Sequence, residues 1–379
     1  MRKEYENGYY VGELNENGER HGEGTYFWNN GDKYEGRWEN GERSGSGKMS
    51  FANNNVYDGE WKSNKRHGKG SLTWHNGDVF IGEWIEGSRN GYGEAFYIDG
   101  TIYEGEWKDN KRHGKGIYSW PDGDRYEGEF VNGKAEGFGV RYSTKEYVKY
   151  EGEWKDGKRH GKGIIELTND QLYDGEWSND LWHGKGRLYY ANGDFFEGEF
   201  KEGTFDGHGI IYFNNTEEIE GEWKDGMLNG HGTHYMNNQK IYEGEYRNDL
   251  RHGKGVAIFE DNVVFEGIYN CGSFESGRLD IDGNVYEGTF ENNLFHGNGT
   301  FCWKNGDKYE GEFCNGAITG KGILGYRDGT IYVGELVDGC EHGHGVIYFT
   351  DGTKFEGIFE HGSPKELPDQ NETSDNSDE

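Results

Sequence analysis

The sequence predicts an all-β fold: a long, twisted stack of about sixteen β-hairpins forming a single-sheet rod. Three observations predict it: a glycine that recurs at a near-constant interval, two aromatic columns in step with it, and turn-forming residues between them. The glycine stands at Gly12, Gly36, Gly59, Gly82, Gly105, Gly128, Gly152, Gly175, Gly198, Gly221, Gly244, Gly267, Gly288, Gly311, Gly334 and Gly357. Most neighbours are 23 residues apart; two gaps are 24 (Gly12–Gly36 and Gly128–Gly152) and one is 21 (Gly267–Gly288). A fixed period of this size marks one small supersecondary unit stacked many times. The residue two before the glycine is aromatic in fifteen of sixteen units, Ile219 being the exception. The residue two after is aromatic in fourteen, the exceptions being Leu14 and Leu336.

The unit Ile102–Asp124 shows why each element forms. In Ile102-Tyr103-Glu104-Gly105-Glu106-Trp107-Lys108, alternation puts Tyr103, Gly105 and Trp107 on one face and Glu104 and Glu106 on the other. Asp109-Asn110-Lys111-Arg112 is turn chemistry. In the return strand His113–Trp120, Gly114, Gly116, Tyr118 and Trp120 share a face, and Pro121-Asp122-Gly123-Asp124 is the second turn. Glycine weakens a strand unless something must approach the backbone closely. Aromatic rings lying over the bare backbone of a neighbouring strand supply that reason and offset its entropy cost. At ~10 Å per hairpin, sixteen hairpins would span about 150 Å, with each unit touching only its neighbours.

Composition agrees. Glycine is 67 of 379 residues, proline only 3, and hydrophobic residues 31%, yet 16% are aromatic, so apolar area is concentrated in rings. The formal net charge of −31 excludes bulk binding to nucleic acid, which needs clustered Lys and Arg. The start, Met1–Tyr10, has no apolar segment of the secretory kind, and no apolar run is long enough to span a bilayer as a helix. Cys271, Cys302, Cys314 and Cys340 form no C-x-x-C pair and read as free thiols of a reducing compartment. The expected organisation is a lead at 1–7, a repeat array at 8–362 with fifteen complete units and a terminal half unit, and an acidic disordered tail at 363–379. Two irregularities stand out. The 21-residue unit near 266–285 reads Ser276-Gly277-Arg278-Leu279 and lacks the second hairpin glycine, which predicts a bend or softened joint. The turn around Lys145–Val148 carries one extra residue.

Tyr103–Lys108 followed by His113-Gly114-Lys115-Gly116 resembles the MORN repeat, the membrane occupation and recognition nexus motif. So do Tyr150–Lys155 with His160–Gly163, and Tyr173–Ser178 with His183–Gly186. Tyr103, Gly105, Trp107, Gly114, Gly116, Tyr150, Gly152, Trp154, Gly161 and Gly163 are then the structural core of two repeats. The resemblance implies a rigid hairpin rod that serves as a scaffold near membranes and in cytoskeletal structures. It implies a homodimer through terminal repeats, the C-terminal ones included, with cytoskeletal or axonemal proteins as partners. The implied setting is cytoplasmic: a basal structure, the cell cortex, a division ring or an axoneme. Asn15–Gly24 is similar to the opening of MORN-type radial-spoke head subunits of cilia, which implies an alternative place in the axoneme.

Candidate chemistry is sparse. His21, His67, His113, His160, His183, His252, His296 and His342 share a column, but copies ~10 Å apart cannot share a zinc with ~2.0–2.1 Å bonds, so a role at the turn is expected. A metal site assembled on dimerisation from Cys302, Cys314, Cys340, His342 or His344 is the other reading. Glu104 and Glu106, repeated in most units, read as a solvated acidic stripe. The Gly-Lys-Gly stretches lack the spacing of a phosphate loop. No catalytic arrangement and no cofactor is implied. The basic clusters Lys65-Arg66 with Lys69, Lys111-Arg112 with Lys115, and Lys158-Arg159 with Lys162 are candidates for gripping anionic lipid headgroups, or for pairing locally with Glu and Asp.

Overall fold

The computed structural model describes residues 1–365. Among these there are 33 strands and a single 3-10 turn, Glu260–Asn262. The chain divides into two compact units: Met1–Asn192 with Phe200–Gly203, and Gly193–Glu199 with Thr204–Glu379.

In the first unit, strands that follow one another pair antiparallel. The strand Ile102–Lys108 buries Tyr103, Gly105 and Trp107 and exposes the residues between them, as its alternation dictates. Asp109 and Asn110 both take positive φ (47° and 68°), the geometry of a tight hairpin turn whose twist matches that of its strands. The return strand Lys111–Ser119 pairs Tyr103 with Tyr118, Gly105 with Gly116 and Trp107 with Arg112. Between the last two pairs, Glu106 alone faces His113, Gly114 and Lys115, so the return strand bulges. The bulge puts Gly114 at φ +54°, and a Cβ there would meet the Glu106 carboxylate at 2.4 Å. Glu106 Oε1 accepts the Lys115 N–H at 3.1 Å. Glu60 with Lys69 and Glu153 with Lys162 do the same at 3.0 Å. The acidic stripe is therefore two columns. Glu106 and its copies close the bulge, while Glu104 remains on the open face.

Gly116 also pairs with Gly128 of the next hairpin, which pairs with Gly139, then Gly152, Gly163, Gly175 and Gly186. This makes a row of glycines running across the strands. A Cβ on Gly116 would lie 2.5–2.7 Å from the Tyr103 ring, so that ring covers the row inside its own hairpin. The Tyr103 hydroxyl donates to the Glu106 carbonyl at 2.9 Å. Trp107 makes the crossing between hairpins: its Nε1 donates to the Gly93 carbonyl at 3.1 Å. The expected cover of a neighbouring strand is thus divided between the two rings, the tyrosine within its own hairpin and the tryptophan across to the preceding one.

The rings themselves form an edge-to-face ladder. Tyr103 meets Trp107 at 5.2 Å and Phe130 of the next hairpin at 5.2 Å, with planes 86° and 85° apart. Tyr126 repeats this with Phe130 and Trp154. Such pairs add about 0.5–1.5 kcal/mol each beyond area burial. Tyr103 and Tyr150 are fully buried, and Trp107 and Trp154 nearly so. A second rung runs through the other turns. Asp78 Oδ1 accepts the Ile98 N–H at 2.9 Å and Asp124 Oδ1 the Thr144 N–H at 2.9 Å, each joining one turn to the next. Burial raises the Asp124 pKa, but bonds from Thr144 and Arg141 outweigh it and leave that carboxyl below its ordinary range. The extra residue near Lys145 is absorbed as a bulge: Tyr147 stays buried opposite Leu167 while Val148 turns outward.

The second unit repeats the plan from Gly209–Gly221 through Gly345–Gly357. In its 21-residue stretch, Gly277 pairs with both Gly267 and Gly288 and keeps the row. The residue missing there is the left-handed bulge glycine, since Phe274-Glu275-Ser276-Gly277 stands where Phe295-His296-Gly297-Asn298-Gly299 stands one hairpin later. A second residue is saved in the turn, where Asp282 and Gly283 alone, both at positive φ, join Ile281 to Asn284. At the end, Phe359 and Glu360 pair with a two-residue strand, Ser363–Pro364. The first residues of the expected tail are therefore in a strand, and its remainder, 366–379, lies outside the described residues.

Candidate functional site

The three basic residues of each cluster do not converge. Arg66, Arg112 and Arg159 enter the seam between hairpins on the aromatic face. The Arg66 guanidinium lies 4.3 Å from the centre of the Trp84 ring and donates to the Gly87 carbonyl at 2.8 Å. Arg112 lies 4.5 Å from the Tyr118 ring and donates to the Gly133 carbonyl at 2.9 Å. Arg159 lies 4.6 Å from the Trp177 ring and pairs with Asp180 at 3.1 Å. Burial lowers the Arg66 pKa from the usual guanidinium value. Lys65, Lys111 and Lys158 are exposed where the return strand leaves its turn, and Lys65 pairs with Glu86. Lys69, Lys115 and Lys162 stand exposed on the opposite, open face.

Two members of the histidine column serve the turns, while the Nδ1 atoms of His67 and His296 are buried without a hydrogen-bond partner. His21 Nδ1 accepts the Asn40 N–H at 3.4 Å, and His252 Nδ1 accepts that of Cys271 at 3.5 Å. Asn90 and Asn229 do the same work with a side-chain oxygen. Among the described residues no group of three His, Cys, Asp or Glu side chains is arranged to hold a metal ion, and the four cysteines form no disulfide.

The open face carries shallow grooves. In the first unit, a groove of about 390 Å³ has Gly105, Gly116 and Gly128 as its floor and Tyr92 and Phe138 at its ends. In the second, one of about 710 Å³ is lined by mixed charges, including Glu245, Lys254, Glu266 and Arg278. Reading the sequence for chemistry missed Tyr92 and Phe138. The signal was present: each stands in the Gly-x-Gly position that holds lysine at Lys69, Lys115 and Lys162.

Solved structures give only faint likenesses. The G-box domain of the microcephaly protein CPAP is 12% identical over 56% of this chain and 97% of its own, with a TM-score of 0.21. A mutant TCP10 domain of Danio rerio CPAP is 11% identical over 59% and 93%, with a TM-score of 0.19. The extracellular domain of the two-component system BT3049 of B. thetaiotaomicron is 9% identical over 94% and 56%, with a TM-score of 0.21. No curated protein matches the chain. The MORN repeat model, by contrast, matches fourteen segments, from residues 10–33 through 242–264 without a long break, then 286–308, 309–331 and 332–354. It passes over the terminal half unit and the shortened unit, whose two missing residues put it out of step with the motif while its strands keep the register. With most of its length matched, the chain belongs to the MORN repeat family.

Proposed function

We propose that this chain is a non-catalytic scaffold that self-associates and organises a cytoskeletal or membrane-apposed assembly in the cytoplasm. MORN arrays suit a scaffold or a membrane- or protein-binding role, and an all-β repeat array is not a typical enzyme fold. The observation that carries self-association is the end of the second unit. Tyr309 and Tyr332 are fully buried, whereas Phe355, in the same column, is 38% exposed. Its strand, Lys354–Glu360, is met by Ser363–Pro364 and by the Lys365 N–H on the Ile358 carbonyl at 2.7 Å, so among the described residues the edge of its first half, which carries Phe355, stands open. Such an edge is a template for pairing with another chain.

Sedimentation of the full chain at micromolar concentration tests this. A dimer that Phe355→Lys converts to monomer is the expected result, and a monomer throughout the range overturns it. Localisation of a tagged copy separates the settings: a cortical or division-site ring supports the scaffold, and axonemal labelling the radial-spoke alternative. The lipid-binding alternative draws less support, because Arg66, Arg112 and Arg159 are engaged in the seam. Flotation with anionic vesicles tests it directly.

A further inference from the structure

Two exposed aromatic side chains interrupt an otherwise polar column. In the first unit the Gly-x-Gly position holds Glu23, Ser46, Lys69, Lys115, Lys162 and Lys185. Only Tyr92 and Phe138 depart from it, and they are 50% and 54% exposed. They close the two ends of the groove with the glycine floor. From the strand Ser88–Phe96 to the strand Lys134–Tyr142 there are four strand intervals, or ~19 Å at ~4.8 Å each. An extended peptide rising ~3.3 Å per residue covers that span in about six residues.

The charge between the ends is acidic. Glu104, Glu127 and Glu129 line the groove against a single base, Lys115. The Tyr92 hydroxyl donates to Glu104 Oε1 at 2.6 Å, which fixes that ring at the mouth. Glu127 pairs with Arg125 at 2.8 Å, but both side chains are exposed, so the pair costs little to exchange. A second copy of a chain with net charge −31 and an anionic membrane are both repelled by such a surface.

We propose that the groove between Tyr92 and Phe138 binds an extended cationic peptide segment of a partner protein, with a large apolar side chain at each end of a short basic run. The rings would take the apolar ends, the carboxylates the basic residues, and the glycine floor allows close approach of the backbone. This deepens the scaffold reading by naming a class of cargo, and rests on it only in that the array offers surface.

The test is fluorescence anisotropy of a labelled Phe-Lys-Lys-Lys-Lys-Phe peptide titrated with the full chain. The variant is Y92K/F138K, which installs the residue that Lys69 and Lys162 already occupy, with Y92S/F138S, copying Ser46, as a second. Saturable binding that weakens at least about tenfold in both variants, and when glycines replace the terminal phenylalanines, supports the proposal. Equal binding by wild type and variants, equal binding of an all-lysine peptide, absence of saturable binding at low salt, or anionic-vesicle binding lost in the variants would each overturn it. Unchanged thermal melts confirm that the variants fold. Sedimentation mass is read separately, so failure of self-association is distinguishable from failure of the groove.

Discussion

The two units hold the same seam with different side chains. In the first, the position opposite the large ring is mostly arginine, at Arg43, Arg66, Arg89, Arg112 and Arg159, with Ala135 and Trp182 as the exceptions. In the second, it is Leu228, Phe274, Phe295 and Ile318, with Arg251 and Glu341 as the charged members. Arg43, Arg66 and Arg89 each lie 4.3 Å from a tryptophan of the following hairpin and donate to a carbonyl of its turn. Phe274 and Phe295 instead stack at 4.0 Å on Phe265 and Tyr286 of their own hairpin. At the arginines and at Phe274 and Phe295 the position is half-buried, with water on one side, and takes either a flat cation with a directional bond or a flat ring with more apolar area, whereas Leu228 and Glu341 are buried there. What stays common to both units is the glycine row and the buried tyrosine column. The seam is where the repeats are free to differ.

The largest test strikes what the units share. Gly116→Ala would drive a Cβ into the Tyr103 ring at 2.5–2.7 Å, and Gly277→Ala would drive one into the Glu266 carbonyl oxygen at 2.5 Å. Each is expected to cost about 3 kcal/mol or more. Amide exchange should show the loss confined to the mutated hairpin and its neighbours. Tolerance of Gly277→Ala would mean that the row does not run through the shortened hairpin.

Alkaline titration tests buried tyrosines in both units at once: Tyr10 and Tyr286 from the column two before the glycine, and Tyr269 from the column two after it. Burial pushes Tyr10 in the first unit, and Tyr269 and Tyr286 in the second, up to about 12. A raised phenol keeps its proton in the folded state after the unfolded state has lost it. Stability is therefore unaffected below about pH 10 and falls above it, by up to about 1.4 kcal/mol per pH unit for each such ring, until the native phenols ionise. Denaturant melts read alongside phenolate absorbance check this. An early fall in one unit alone would break the equivalence.

The smallest effect separates the seams. Arg66→Ala should cost about 1–2 kcal/mol through loss of the ring contact and the carbonyl bond. Arg66→Phe, which copies the second unit, should cost less. If both cost the same in urea melts, the two seam chemistries are not interchangeable.

Much of this was legible beforehand. Alternation around Gly105 gave the buried face, and Asp109-Asn110 gave the turn. The family resemblance was carried by Tyr103–Lys108 and His113–Gly116, and the match along the chain agrees with it. Three things were not legible, each because it depends on register. Glu106 and Glu104 look alike in sequence, yet only Glu106 lies opposite the bulge. Lys65, Arg66 and Lys69 read as one basic cluster, yet turn, bulge and strand send them to three different surroundings. Gly277 looked like the survivor of a broken pair, although the pair member lost was the bulge glycine and not the one in the row.

By itself, the sequence determined the hairpin, its period and its buried face, because these follow from alternation, turn propensity and the bare backbone of glycine, all local properties. Only the tertiary structure decided which carboxylate closes a bulge, which arginine is taken up in a seam, and that Tyr92 and Phe138 face one groove. Those outcomes depend on what the neighbouring strand sets opposite each residue, and a single bulge residue shifts that alignment for everything beyond it.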